Sequence, residues 1–230
     1  MEFRPDIYSV DSDVSCAETK LRFFGFPLTS RMTVIQCAPG ELWVHSPTPL
    51  APVQQQLQKL GKVRWRVAPN LMHHLYQMDY QEAFPESRLW AAPGLGRKRR
   101  DLRIDHDTFV PPGPEWPTAI QPFPVSGNPM LMETAYLHRP SRTLMVSDLL
   151  MHLGPWDHWA VRLYAKANRF YDVPGLSFGL KSFFKDKTAA RASIDAILDA
   201  DFDRLILAHG PIVESGGKDV LARAFDWLRP

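Results

Sequence analysis

Cysteine is scarce in this chain. Cys16 and Cys37 are the only two in 230 residues, too few for the disulfide framework of a small secreted domain, and two free thiols are expected. No run approaches the roughly 18 consecutive apolar residues of a membrane-spanning helix. The opening MEFRPDIYSVDSD carries acids and a proline where a secretory leader needs an apolar core. A cytoplasmic protein with no membrane partner is therefore expected. An excess of one charge is missing as well: 27 Lys and Arg against 25 Asp and Glu leave +2, which argues against a dedicated nucleic-acid binder. No repeat of the roughly 20–50-residue kind is present, which excludes solenoids and propellers. Gly94-Leu95-Gly96 lacks the following glycine and the Lys-Ser/Thr of a phosphate loop.

Proline and histidine, by contrast, are plentiful, with 21 Pro and 8 His. The prolines predict short elements with stiff connections, because each removes a backbone donor and fixes φ. Strand-like runs at Met32–Ala38 and Glu41–His45 flank Pro39-Gly40, a hairpin signal. Val53–Leu60 reads as a helix with Pro52 in its first turn and Gly61 at its end. A strand over Lys62–Ala68 runs into a helix over Leu71–Phe84, stopped by Pro85, and Arg88–Ala92 is a short strand. Six prolines between 111 and 124 leave only extended structure there, Ala119–Phe123 included. Glu133–Leu137 and Arg142–Val146 form a second hairpin around His138-Arg139-Pro140-Ser141. Helices near Trp159–Tyr171, at Thr188–Leu198 and at Asp219–Leu228 enclose a buried strand, Arg204–Leu207. Two antiparallel hairpins among alternating strands and helices predict one α/β domain over residues 1–230, and not a purely parallel doubly wound sheet.

Three segments place metal-capable side chains directly after a strand. They are Ala68-Pro69-Asn70-Leu71-Met72-His73-His74, Met145-Val146-Ser147-Asp148-Leu149-Leu150 and Leu207-Ala208-His209-Gly210. In α/β folds, ligands gather beyond the carboxyl ends of strands, and imidazole with carboxylate is a donor set for zinc or iron. Singly, each has an ordinary reading: a His pair at a helix start, a strand-end cap at Asp148, a buried His209 bonded to backbone.

In order and spacing these segments resemble the metallo-β-lactamase fold superfamily. Ala68 to His74 covers its Thr-His-x-His-x-Asp-His stretch, Ser126-Gly127-Asn128-Pro129 its Gly-His-Thr-Pro, Ser147-Asp148-Leu149-Leu150 its Gly-Asp-Leu-Leu, and Ala208-His209-Gly210 its Gly-His-Gly. The resemblance spans roughly residues 30–212 and implies a four-layer αββα sandwich of two mixed β-sheets flanked by helices. Pro69, Leu71 and Asn128 stand where three histidines of the family bind one metal. The positions of the second metal read His73, His74, Asp148 and His209. The resemblance therefore implies at most one zinc or iron ion, held by those four residues. Asp148 would orient a water whose pKa such an ion lowers toward about 7. It implies hydrolysis of a small-molecule ester, thioester, lactone, amide or phosphoester, although four protein ligands close a site unless the ion expands its coordination. The lost ligands leave a second reading open, an inactive version of the fold that binds a ligand or a protein. His152 and His158, around Gly154-Pro155-Trp156-Asp157, either add a ligand or line a pocket or, in the more ordinary reading, lie in an aromatic loop covering the site; His45 reads as structural, and His106 and His138 read as surface loop and turn residues. The basic run Arg97–Arg100 reads as a solvated loop.

Overall fold

The computed structural model describes residues 3–23 and 25–229. Its first sheet contains seven strands in sequence order: β1 (Tyr8–Ser9), β2 (Val14–Phe23), β3 (Phe26–Ala38), β4 (Glu41–His45), β5 (Lys62–Ala68), β6 (Arg88–Ala91) and β7 (His106–Asp107). β1 to β4 pair antiparallel and β4 to β7 parallel. The helices α1 (Leu50–Leu60), α2 (Gln77–Ala83) and the short α3 (Leu95–Lys98) lie between these parallel strands in sequence. The second sheet comprises β8 (Ile120–Pro124), β9 (Thr134–His138), β10 (Thr143–Val146) and β11 (Arg204–Leu207), ordered β11-β10-β9-β8. There β10 and β11 are parallel and the other pairs antiparallel. α4 (Trp159–Ala167), α5 (Phe178–Ser182) and α6 (Lys187–Asp199) separate β10 from β11, and α7 (Gly217–Ala224) follows it.

The two-residue period of the strands sorts the side chains into layers. Met145 of β10 and Ile206 of β11 face the other sheet, meeting Ile35, Trp43, Val67 and Trp90. Their neighbours Leu144, Val146, Leu205 and Leu207 point the opposite way, onto Ile194 and Ile197 of α6 and Leu221 of α7. Val34, Val44 and Val63 cover the outer face of the first sheet beneath Val53 and Leu57 of α1 and Tyr80 of α2. Both faces of the second sheet are thus apolar at β10 and β11, which is why these strands read as continuous apolar runs. The result is the expected four-layer sandwich. The inter-sheet layer holds Trp43, Trp65, Trp90 and Trp116; Trp116 meets Trp43 and Trp90 edge-on with ring centroids 6.2 and 5.0 Å apart, a favourable aromatic geometry.

Gly61 ends α1 where the chain turns into β5. A Cβ there would lie 2.5 Å from the Gly40 carbonyl oxygen, which accepts from the Lys62 amide at 2.7 Å. Gly61→Ala is expected to cost about 1–3 kcal/mol, because this contact is backbone on backbone and cannot yield. A urea midpoint unchanged from the parent would disprove it.

Several elements differ from the sequence reading. The long β2–β3 hairpin was not anticipated. Glu18 and Arg31 sit buried opposite one another in it, and paired charges in the core interrupt the apolar alternation that marks a strand. The helix expected over Leu71–Phe84 begins only at Gln77, and residues 70–76 form a turn. That expected over Asp219–Leu228 is α7 followed by a 3-10 turn, Asp226–Leu228. His138 is buried in β9, its Nδ1 2.7 Å from Ser141 Oγ. Among the described residues no helix is long and apolar enough to cross a membrane.

Candidate metal centre

Three of the four expected ligands converge where the two sheets meet. His73 comes from the turn after β5, Asp148 from the end of β10 and His209 from the end of β11. Their ligand atoms all lie within 4.8 Å of one another. The two Nε2 atoms are 3.3 Å apart; Asp148 sets Oδ2 3.4 Å from His73 Nε2 and Oδ1 3.3 Å from His209 Nε2. A tetrahedron with zinc–ligand bonds of about 2.0–2.1 Å has edges of about 3.3–3.4 Å; the two Nε2 atoms stand at that spacing, and each has a different Asp148 oxygen at the same distance, so the carboxylate faces both rings. His73 and His209 are nearly enclosed, while the Asp148 side chain is 14% exposed and marks the open side.

His74 is not brought to this cluster. Its ring turns to Arg99, whose Nη1 lies 3.0 Å from Nδ1 and also donates to the His74 carbonyl at 3.1 Å. Burial, with Lys98 and Arg99 alongside, pushes the imidazole down to about 4. The physical reason is local geometry: consecutive side chains in a helical turn point about 100° apart, so one of the pair must face away. With His74 turned away, His73, Asp148 and His209 remain as a group that could hold a metal ion; three protein ligands leave room for a water or substrate on a zinc ion, whereas four close the site. Pro69 and Leu71 offer no donor, and their backbones pair with Thr134 and Leu131. Asn128 is structural, its Oδ1 accepting from the amides of Met130 and Leu131.

Groups that the sequence reading passed over hold the three donors in place. Asn70 Oδ1 accepts from the amides of Met72 and His73 at 2.8 and 2.9 Å, which makes the turn. Its Nδ2 donates to Asp148 Oδ2 at 2.9 Å and to Glu133 Oε2 at 2.8 Å. Glu133, buried at the start of β9, also accepts from the amides of Ser147, Asp148 and Leu149 at 2.7–3.0 Å, fixing the strand end that carries Asp148. Ser46 Oγ lies 2.5 Å from His73 Nδ1, and His209 Nδ1 donates to the Thr29 carbonyl at 2.7 Å. That bond leaves the neutral His209 ring with its lone pair on Nε2, aimed into the cluster. An asparagine two and three residues before the amides that it caps is a readable turn signal. The remaining contacts join segments far apart in sequence and have none.

Electrostatics reflects this crowding. Burial works to raise the Asp148 carboxyl, but His73 and His209 overcome it and hold it well below the usual carboxylate range. Burial works against the charged form of His209, and Asp148 outweighs it, raising that imidazole. Burial and the neighbouring Asp148 push Glu133 up to about 7, against its four N–H donors. His45, buried and stacked on Trp43, is pushed down to about 3 by burial and by His73. A histidine pKa lowered on folding contributes stability above its unfolded value of about 6.5, lost as pH falls toward the folded value. His45→Met is therefore expected to remove a slope: relative to it, the parent loses about 2 kcal/mol between pH 6.5 and pH 5. Parallel curves for urea stability against pH would refute this.

Of the outer histidines, His158 caps α4, its Nδ1 accepting from the Ala160 amide at 3.3 Å. The His152 amide donates to the His209 carbonyl at 2.9 Å, and its ring stands edge-on to Trp156. In the basic run, Lys98 Nζ donates to the Leu71 carbonyl at 2.8 Å and Arg99 pairs with Asp101 and His74. Two of its four cations thus fasten the turn that carries His73.

No protein-family model matches the chain, and no curated protein matches it by sequence. Solved structures do. The metallo-beta-lactamase FIM-1 from Pseudomonas aeruginosa, in its mono-zinc form, superposes with a TM-score of 0.67 at 11% identity, over 97% of this chain and 96% of its own. A metallo-beta-lactamase from Hirschia baltica gives 0.66 at 10% identity, over 97% of each chain. One from Pontibacter korlensis gives 0.65 at 10% identity, over 96% of this chain and 97% of its own. The chain has the metallo-β-lactamase fold.

Proposed function

We propose that this metallo-β-lactamase fold holds one divalent metal ion, zinc or iron, between His73, Asp148 and His209 and hydrolyses a small-molecule ester, thioester, lactone or phosphoester. The observation that carries the reading is the convergence of the three side chains, the two Nε2 atoms 3.3 Å apart and each 3.3–3.4 Å from one of the Asp148 oxygens, with the open side at Asp148. Bound there, such an ion supplies a water that ionises near neutral pH and a Lewis acid for the substrate oxygen.

The chain's own residues do the rest. The Thr29 carbonyl fixes the tautomer of His209 and raises the basicity of Nε2. Ser46 does the same work at His73 Nδ1. Asn70 ties the His73 amide to the Asp148 carboxylate, so two of the donors move together. Asp148, as the donor that reaches solvent, is the group placed to orient a water toward a substrate. A small-molecule substrate is favoured over nucleic acid because Lys98 and Arg99, within the chain's basic run, are engaged by the loop itself. FIM-1, which shares the fold, is described in a mono-zinc form, which supports a single ion as sufficient.

Elemental analysis of protein purified without chelator, after zinc or iron supplementation, tests the reading. Close to one ion per chain is expected, and less than about 0.1 sinks it, given how tightly such donor sets bind. Turnover of an ester, thioester, lactone and phosphoester panel should then vanish with chelator and return with metal. A loaded protein that turns over none of them would leave the inactive, ligand-binding version of the fold.

A further inference from the structure

Resting on the metal-centre reading, we propose that Arg31 is a positioning residue that sets His209 for its ligand by bracing the turn on which that histidine sits. Arg31 lies in β3 opposite Glu18 of β2, and both side chains are buried, 3% and 2% exposed. Nη2 donates to Glu18 Oε1 at 2.8 Å, and Nε donates to the Tyr8 hydroxyl at 3.2 Å, which in turn donates to Glu18 at 3.1 Å. The guanidinium charge is thereby matched on one edge. The other edge faces β11: Nη1 donates to the carbonyls of Leu207 and Gly210, at 2.5 and 2.7 Å. Those two residues flank the Ala208-His209 pair.

A buried ion pair adds little net stability over a well-packed apolar pair. What an apolar pair cannot do is bond two carbonyls, and here Nη1 bonds both while Nη2 and Nε are held by Glu18 and Tyr8. Thr29, two residues before Arg31 in β3, provides the carbonyl that accepts from His209 Nδ1. One strand thus fixes both the path of the turn and the tautomer of its histidine. The other side is closed by the His152 amide on the His209 carbonyl. Gly210, at φ +109°, would carry a Cβ 2.0 Å from the His152 carbonyl oxygen, so the turn has no room to relax that way.

Arg31→Lys tests the assignment, since one ammonium keeps the charge but cannot sit beside Glu18 and Tyr8 and also bond both carbonyls, as the three guanidinium nitrogens together do. Two readouts are taken: zinc affinity by competition with a chelating dye, and the His209 Nδ1 proton by long-range ¹H–¹⁵N NMR of the metal-free protein. The variant should still unfold cooperatively, bind zinc about 10–100-fold more weakly, and lose the protected Nδ1 proton. Arg204→Lys, at the other end of β11, should lower the thermal midpoint and change neither readout. Zinc affinity within about twofold of the parent, together with a retained Nδ1 proton, would overturn the proposal. Should Arg31→Lys fail to fold, Tyr8→Phe, which removes one Arg31 acceptor, decides it: zinc weakened about threefold sustains it and no change overturns it. If the parent itself takes up no zinc, the metal reading falls, and the Nδ1 proton alone decides whether Arg31 positions His209.

Discussion

His209→Ala is expected to weaken zinc binding by about 60- to 700-fold, while His74→Ala leaves it within about twofold. Zinc sites with four protein ligands are worth roughly 10–16 kcal/mol, some 2.5–4 kcal/mol per ligand at about 1.4 kcal/mol per tenfold. In the proposed site His209 is one of three donors among the described residues, and its tautomer is already set by Thr29. Its loss also removes a favourable partner from Asp148, whose carboxyl burial works to raise. His74 has its ring against Arg99 and contributes no donor to the cluster. Its removal costs the part-buried contact with Arg99 and some order in the turn. Isothermal titration of both variants separates the cases. An equal loss in the two would return His74 to the site, and no loss at His209 would dismiss the donor triangle.

Glu133→Ala is expected to be the most destabilising substitution in the metal-free protein, by about 4–6 kcal/mol, a large part of the usual 5–15 kcal/mol of a domain. The carboxylate accepts from the amides of Ser147, Asp148 and Leu149 and from Asn70. Removing it leaves four buried donors without an acceptor, each costing about 1–3 kcal/mol before water enters the hole. Glu133→Gln keeps the volume but turns an amino group toward those donors, and an intermediate loss follows. The pH dependence has a defined sign. An acid whose pKa is raised on folding contributes stability fully present below its unfolded value of about 4.5, lost as pH rises through the folded value, here about 7. The penalty for Glu133→Ala is therefore largest near pH 5 and smaller at pH 8. Urea denaturation at the two values measures it, and a loss below about 1 kcal/mol at pH 5 would show that the acceptor is dispensable.

Most strands and the αββα layering were legible because their signals are local. Apolar runs bounded by proline and glycine give β4, β5 and β11 at the expected bounds, and the amphipathic α6 within a residue. The β2–β3 hairpin was hidden because Glu18 and Arg31 are partners only across a strand pair, and a one-dimensional pattern cannot see that two charges cancel. The turn at 70–76 was hidden because the Asn70 side chain replaces the helical hydrogen bonds that the apolar pattern promised.

By itself the sequence determined that metal-capable side chains end β10 and β11 and follow β5, since strand ends and their punctuation are written locally. Only the tertiary structure decided that His73 rather than His74 meets Asp148 and His209, and that Thr29, Ser46, Asn70 and Glu133 hold them. Two adjacent imidazoles look alike along a chain. A turn of about 100° per residue points one into the sheet junction and the other at Arg99.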